Sequence, residues 1–555
     1  MSVHGDARAG GREMRSGGGR LTALLVLLFS LGSAVVGRTE EQRFDEVELL
    51  RLRIEQLTTD AEARVLGAEI ATRRALQSFY ERRGFRRAWQ SPEASEDLLR
   101  AVRGIAADGL DPDDYLLGEL ERVRAAVAAG EPSLEDRIDH DILQTDALAR
   151  LLYHLAFGKV TPKSFDPHWN FTRKARGVDA ATFLEQVVES GQVYERIEAE
   201  KPTHELYLGL RAELARQRAL AEAGEPAQVP GGPKLEQGVQ GPRVAALRSR
   251  LGLTAEGDQF DDAVVERVKQ VQASHGLDVD GVVGPATLAA INLSAADRIA
   301  RIRVNLERMR WYLHDLDPTF VFVNLAGYRV TYLRDGKVVW SAPAIIGKPY
   351  RATPVFRSEM TYLVLNPTWT VPPTILAQDM LPAQRRDPAY LDRKGIKVVD
   401  RNGRVVPTSS VDWSKARPRS FPYQLVQGPG PANALGRVKF MFPNSYSVYL
   451  HDTSAPELFG KSERAFSSGC IRVANPLDFA ALLLEGESGW NRAAIDEVVA
   501  SGKTRTVKLS KPVPVLLTYF TAWVDQAGTL QLRRDVYGRD EKVLRGIEAE
   551  FHVQH

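Results

Sequence analysis

Tyr446-Ser447-Val448-Tyr449-Leu450-His451 is followed, nineteen residues after that histidine, by the cysteine of Phe466-Ser467-Ser468-Gly469-Cys470-Ile471-Arg472-Val473. Cys470 is the single cysteine among 555 residues, so no internal disulfide accounts for it. A thiol reacts as its thiolate and titrates at about 8.5 when isolated, so a nucleophilic cysteine needs a base beside it, and histidine is the usual one. On a strand over 446–450 side chains alternate, which turns Tyr449 and His451 to one face and Val448 and Leu450 to the core. Gly469 permits a tight turn, and the amides of Gly469 and Cys470 are candidate donors to an oxygen that becomes negative during acyl transfer. Taken singly, a lone cysteine is most often buried and inert, and a lone histidine is most often structural. It is their combination that points to chemistry.

These residues carry a family resemblance. His451-Asp452-Thr453, the spacing, and Ser467-Ser468-Gly469-Cys470-Ile471-Arg472 resemble the signature of the YkuD-type L,D-transpeptidases, bacterial cell-wall cross-linking enzymes with a cysteine nucleophile. The segments Pro429 to Phe440 and Phe442-Pro443-Asn444 fit as well. Many members have histidine where this chain has Ser468; Ser-Ser-Gly-Cys matches the large periplasmic YcbB-type subgroup and leaves His451 as the nearby base. The resemblance implies Cys470 as nucleophile, His451 as general base and acid oriented by a backbone carbonyl, and the Gly469 backbone in an oxyanion hole. Candidate substrate-binding residues are Arg472, Tyr449, Ser468 and Asn444. Arg472 could hold a carboxylate bidentately or close an internal salt bridge, and the sequence favours neither.

The implied reaction joins peptidoglycan tetrapeptide stems, with attack after the third, L-centred residue, loss of D-Ala, and resolution by the amine of a second stem. A carbapenem would act at the same cysteine. A hydrolase using the same site and a non-catalytic wall-binding scaffold are the alternatives. A serine penicillin-binding enzyme is excluded, because none of the seventeen lysines has serine three residues before it.

Composition restricts the remaining classes. With 73 basic and 71 acidic side chains the net charge is +2, which gives no bulk electrostatic case for nucleic acid. No Cys-x-x-Cys, His-Glu-x-x-His or P-loop occurs, so neither metal nor cofactor is expected. The implied partners are peptidoglycan stems and glycan, with other cell-wall synthesis proteins as candidates. An Arg/Gly-rich start followed by the apolar run Leu21 to Val36 reads as a signal peptide or membrane anchor over 1–37, so the chain is expected in the periplasm, held at the inner membrane if the leader is uncleaved.

The expected fold is multidomain α+β. Val47, Leu50, Ile54 and Leu57 at helical spacing make 38–74 a helical linker. An α-helical scaffold follows over 75–232, with Phe79, Tyr80 and Trp89 as aromatic core. The Gly/Pro-rich 223–233 marks a boundary. Residues 233–295 resemble a three-helix peptidoglycan-binding module, with Asp262 capping its second helix and Gly284-Pro285 opening the third. A mostly-β catalytic domain is expected over 296–505, with Asp335-Gly336 as a hairpin turn and 377–421 as an irregular lid insertion. Residues 506–555 are expected to fold back on the scaffold.

Overall fold

The computed structural model describes residues 40–551 apart from 131, 165–168, 172–176 and 254–256. The apolar run 21–36, expected to export the chain, lies outside the described residues. The chain divides into two units, Met1–Asp45 and Glu46–His555, and the architecture below is that of the second. Among the described residues no helix is long and apolar enough to cross a membrane.

Helix α1 (Glu40–Thr59) stops well short of residue 72. The Thr58 and Thr59 hydroxyls both donate to the Glu55 carbonyl, at 2.8 and 2.9 Å, competing with the helical ladder, and a small hairpin follows, β1 (Arg64–Val65) and β2 (Ala68–Glu69). Leu50, Ile54 and Leu57 are buried in one core with Leu76, Phe79 and Tyr80, so from Glu46 onward this stretch is part of the scaffold and not a linker. The scaffold continues through α2 (Arg73–Arg82), α3 (Pro92–Gly104), α4 (Leu117–Ala129), α5 (Leu134–Phe157), α6 (Ala180–Val188) and α7 (Val193–Glu198). Ser91 and Ser133 cap α3 and α5 through their hydroxyls. The aromatic residues are core, as expected: Tyr80 donates to Asp141 at 2.8 Å and Trp89 to Thr145 at 2.9 Å. Helix α8 (Glu205–Ala223) departs from this body, since Tyr207, Leu210 and Leu214 join the core of the catalytic sheet.

The three-helix module comprises α9 (Pro242–Arg250), α10 (Asp262–His275) and α11 (Pro285–Ile291) around Val244, Leu247, Phe260, Val264 and Val268. The cap of α10 is Asp261, one residue before the expected Asp262, and it accepts from the Val264 amide at 3.0 Å. Helix α12 (Ala295–Tyr312) then ties the parts together. Its buried Arg310 pairs with Glu307 at 2.6 Å and donates to the Asp108 carbonyl of the scaffold, Glu307 accepts from the Val160 amide, and Arg308 pairs with Asp540 near the C-terminus. Removing one partner would leave a buried charge uncompensated.

The catalytic sheet begins with β3 (Phe320–Asn324), β4 (Arg329–Arg334), β5 (Lys337–Gly347) and β6 (Phe356–Leu365). Asp335 and Gly336 turn β4 into β5 with positive φ at both positions, 51° and 76°. The expected irregular lid is a folded subdomain that is longer than 377–421. It holds β7 (Trp369–Thr370), α13 (Pro373–Ile375), α14 (Leu381–Arg386), α15 (Tyr390–Arg393), β8 (Ile396–Val399), β9 (Val405–Val406) and β10 (Gln424–Gln427). Its sheet has the order β7-β10-β8-β9, and Trp369, Leu391, Ile396, Val398 and Leu425 form its own core. Strands of two to four residues carry too few alternations to be read from sequence.

The chain re-enters the large sheet with β11 (Val438–Met441), β12 (Leu450–His451), β13 (Ala465–Ser467) and β14 (Ile471–Val473), passes through α16 (Pro476–Leu483) and α17 (Arg492–Ser501), and ends it with β15 (Arg505–Thr518). The order is β13-β5-β14-β12-β11-β6-β15-β3-β4, and a further β4–β5 pairing closes the circuit. Because β15 lies between β6 and β3, the expected boundary at 505/506 falls on a central strand, and 506–518 belong to the catalytic sheet. Pro512 hid this strand; it sits where the pairing with β6 shifts register between Lys508 and Val513. The remaining tail, β16 (Ala522–Val524), β17 (Leu530–Leu532) and α18 (Asp540–Glu548), does reach the scaffold, where Lys159 donates to the Ile547 carbonyl at 2.8 Å.

Candidate active site

Strands β12 and β14 run parallel, with Leu450 beside Ile471 and His451 beside Arg472. Leu450, Ile471 and Val473 are buried in the sheet core. Alternation then places Tyr449, His451, Cys470 and Arg472 together on the other face, as two neighbouring rows. The segment Tyr446–Tyr449, expected as strand, is instead a loop with Ser447 at φ 56°. Asn444 builds that loop. Its amide nitrogen donates to the Phe442 and Val448 carbonyls, both at 2.7 Å, and its oxygen accepts from the amides of Tyr446 and Val448 at 3.0 and 3.1 Å. Expected to bind substrate, Asn444 has every hydrogen-bonding position occupied within the loop.

His451 is buried, and its Nδ1 lies 2.5 Å from the Asp452 carbonyl oxygen. A carbonyl only accepts, so Nδ1 carries the proton and Nε2 is the basic nitrogen. The Asp452 carboxylate is engaged elsewhere, accepting from the Arg437 amide at 2.9 Å and its Nε at 2.7 Å, which leaves it no triad role. Burial, reinforced by the Arg472 charge, pushes the His451 pKa down to about 3, against the pull of the Asp452 and Leu435 carbonyls. Burial likewise pushes the Cys470 thiol up, while the Tyr449 amide and phenol and the Arg472 charge favour its thiolate. At rest, therefore, both groups are neutral. The thiol's hydrogen-bonding neighbours among the described residues are Tyr449 and the Ser447 carbonyl, 3.7 Å away; His451 is not among them.

The loop before the cysteine holds a second finding. Gly469 has φ 120°, a region that favours glycine, and its amide, expected in the oxyanion hole, already donates to Ser467 Oγ at 3.1 Å. Its carbonyl accepts from buried Thr353 Oγ1 at 2.9 Å. In a trans peptide the N–H points opposite to the C=O, so this bond turns the Cys470 amide away from Thr353, and that amide has no partner among the described residues. Of the two amides, that of Cys470 is therefore the one left free to donate. Thr353 is fixed in turn: its Oγ1 accepts from the Gly347 amide at 2.9 Å and its own amide donates to the Tyr537 hydroxyl, which donates to the Gly347 carbonyl. Sequence reading missed Thr353 and Tyr537, because nothing in either local sequence signals a partner so far along the chain: Gly469 is 116 positions from Thr353, and Thr353 is 184 from Tyr537. Thr353→Val should lower kcat by roughly one to two orders of magnitude with KM little changed, and Thr353→Ser should restore it. Equal loss in the Ser and Val variants would assign Thr353 a packing role only.

Ser468 is exposed and accepts from Arg351 at 2.7 Å. Arg351 also grips the lid, at Asp379 (2.6 and 3.1 Å) and Gln378 (2.9 and 2.5 Å), so one guanidinium joins the lid to the loop before Cys470. Tyr449 packs against the lid core as well as the catalytic core. Arg472 closes no salt bridge among the described residues, and its buried Nε has no hydrogen-bond partner. Of the two roles the sequence left open, the internal ion pair is not formed. Among the described residues no three His, Cys, Asp or Glu side chains gather as a metal site.

Residues 318–513 match the family described as "L,D-transpeptidase catalytic domain" (YkuD), residues 74–214 the "Scaffold domain" and residues 241–291 the "Putative peptidoglycan binding domain". The chain thus combines an L,D-transpeptidase catalytic domain with a scaffold and a peptidoglycan-binding domain. A relative from Haemophilus influenzae named "Putative L,D-transpeptidase" is 36% identical over 246 residues, 44% of this chain and 48% of that one. The chain therefore spans about half the length of the curated relative it matches. Among solved structures it is similar to the Ldtfm-avibactam carbamoyl enzyme, at 14% identity over 38% of this chain and 53% of that one, with a TM-score of 0.18. An L,D-transpeptidase from Xylanimonas cellulosilytica is 18% identical over 52% of this chain and 98% of its own, with a TM-score of 0.17.

Proposed function

We propose that this chain cross-links peptidoglycan by L,D-transpeptidation through an acyl-enzyme on Cys470, outside the cytoplasmic membrane after export by 1–37. The observation that carries the reading is the shared face of Tyr449, His451, Cys470 and Arg472, built by the β12–β14 pairing inside the segment that matches the transpeptidase family. His451 Nε2 takes the thiol proton as sulfur attacks the amide carbonyl after the third stem residue, and the Cys470 amide receives the oxyanion. The C–N bond breaks, D-Ala leaves with the proton held by His451, and a thioester remains. The amine of a second stem attacks that thioester, its proton passes through His451 to the leaving sulfur, and the cross-link is complete. Arg472, with a free buried donor, is the group suited to a stem carboxylate.

The alternative acceptor is water, which gives a carboxypeptidase. Purified protein incubated with disaccharide-tetrapeptides should yield dimers linked between third residues together with free D-Ala, read by mass spectrometry. Dimer yield should rise with substrate concentration, since amine and water compete for one thioester. Tripeptide monomers at every concentration would replace this reading with the hydrolytic one.

A further inference from the structure

Where the three-helix module meets the catalytic sheet, a pocket of about 160 Å³ opens between Gly276 and Leu277 on one side and Tyr328, Arg329, Arg464 and Arg533 on the other. Three guanidinium groups converge there, and among the described residues none has a carboxylate within ion-pair distance. Each is anchored by part of its hydrogen-bonding capacity. Arg329 donates to Ser341 Oγ at 2.9 Å; Arg464 donates to the carbonyls of Ala344, Lys461 and Tyr328; Arg533 donates to the carbonyls of Ser274 and Leu532 and to Gln531. A guanidinium has five N–H donors, so all three keep some in reserve, Arg329 the most.

The nearby carboxylates do not neutralise the cluster. Glu463 is paired with Arg534 at 2.8 Å, and Asp525 accepts from the amides of Ala527 and Thr529 and from Gln531. Burial, with Arg464 and Arg329 alongside, pushes Arg533 down to about 10 against the weaker attraction of Asp525. Gathering like charges in a half-buried seam is unfavourable unless something else is gained. Arg533 gains a structural bond, since it holds the C-terminal end of α10 through the Ser274 carbonyl, and a Cβ at Gly276 would press on its side chain at 2.7 Å. Arg329 gains little: it is exposed and holds one hydroxyl, yet it completes the cluster.

We propose that this seam is an anion site that takes a carboxylate of a peptidoglycan stem, holding the polymer between the module and the catalytic domain. This rests on the reading of the chain as an enzyme of stem peptides. Guanidinium groups form charge-assisted, often bidentate, bonds with carboxylates, and a carboxylate would supply the counter-charge that the seam lacks. A stem held here is tethered while another occupies the Cys470 site, which raises its effective concentration.

The test uses full-length protein and the variants Arg329→Gln and Arg329→Lys, whose single side-chain bond makes the fold insensitive to the change. Calorimetry should find the disaccharide-tetrapeptide bound about tenfold more weakly by Arg329→Gln than by the unsubstituted chain, with Arg329→Lys between them. The same peptide with its carboxylates amidated should bind the unsubstituted chain no more tightly than the free acid binds Arg329→Gln, since amidation also removes the carboxylate offered to Arg472. Inorganic sulfate, compared with chloride at equal ionic strength, should raise the melting temperature of the unsubstituted chain more than that of Arg329→Gln. Equal peptide affinity across the variants overturns the proposal, including when sulfate still discriminates, for that result marks a site for small anions and not for stems. Thioester formation on Cys470, followed by mass spectrometry at saturating peptide, is expected in all three proteins. Its absence from all three would sink the catalytic reading while the binding comparison still decides the seam.

Discussion

Cys470→Ala protein should release no D-Ala and form no cross-links, while melting within about 3 °C of the unsubstituted chain. The expectation follows from where the sulfur sits. It is half-buried at the head of β14, and its hydrogen-bonding neighbours are a carbonyl and a phenol, so its loss removes the sulfur and little packing. Ile471, the next residue, carries the burial on the inner face. A carbapenem should add its mass to the peptide containing Cys470 in the unsubstituted protein and to no peptide in the variant. Residual turnover above background in Cys470→Ala, or an adduct on a serine, would mean that the nucleophile lies elsewhere.

His451→Asn should cost about two to four orders of magnitude in kcat/KM and change the shape of the pH profile. Asparagine keeps much of the buried volume and can donate to the Asp452 carbonyl, so the loss reads the base and not the packing. With its pKa pushed down to about 3, His451 stays neutral across the assayable range. The unsubstituted enzyme should therefore hold a flat kcat/KM from about pH 5 to the thiol pKa, without the fall near 6.5 that an ordinary histidine would give. In the variant the reactive species is the free thiolate, and its rate should climb about tenfold per pH unit until the thiol has titrated. A fall near pH 6.5 in the unsubstituted enzyme would indicate that His451 is solvated in the working state. A variant with the unsubstituted profile would remove His451 from the mechanism.

Much of the fold could be read because local rules agreed with it. The 3.6-residue spacing of Leu50, Ile54 and Leu57, the Gly284-Pro285 helix start and the Asp335-Gly336 turn each state a local geometry, and each is present where expected. Local rules failed where the partner decides the conformation. Residues 505–518, interrupted by prolines, become a central strand because β3 and β6 flank them. The lid's two- to four-residue strands are defined by one another and by the core around Trp369 and Leu425.

The candidate site divides in the same way. Sequence alone determined which residue types are present and how they are spaced: one cysteine, a histidine nineteen residues before it, and a glycine where φ must be positive. Tertiary structure decided what those groups do. The parallel pairing of β12 with β14 set His451 in the row next to Cys470, and burial made both neutral at rest. Thr353 and Tyr537 turned the Cys470 amide, and not that of Gly469, toward the open side. The physical reason is that alternation and backbone freedom are set by neighbours along the chain. Hydrogen-bond partners and desolvation are set by neighbours in space, and from Gly347 to Tyr537 those are as many as 190 positions apart.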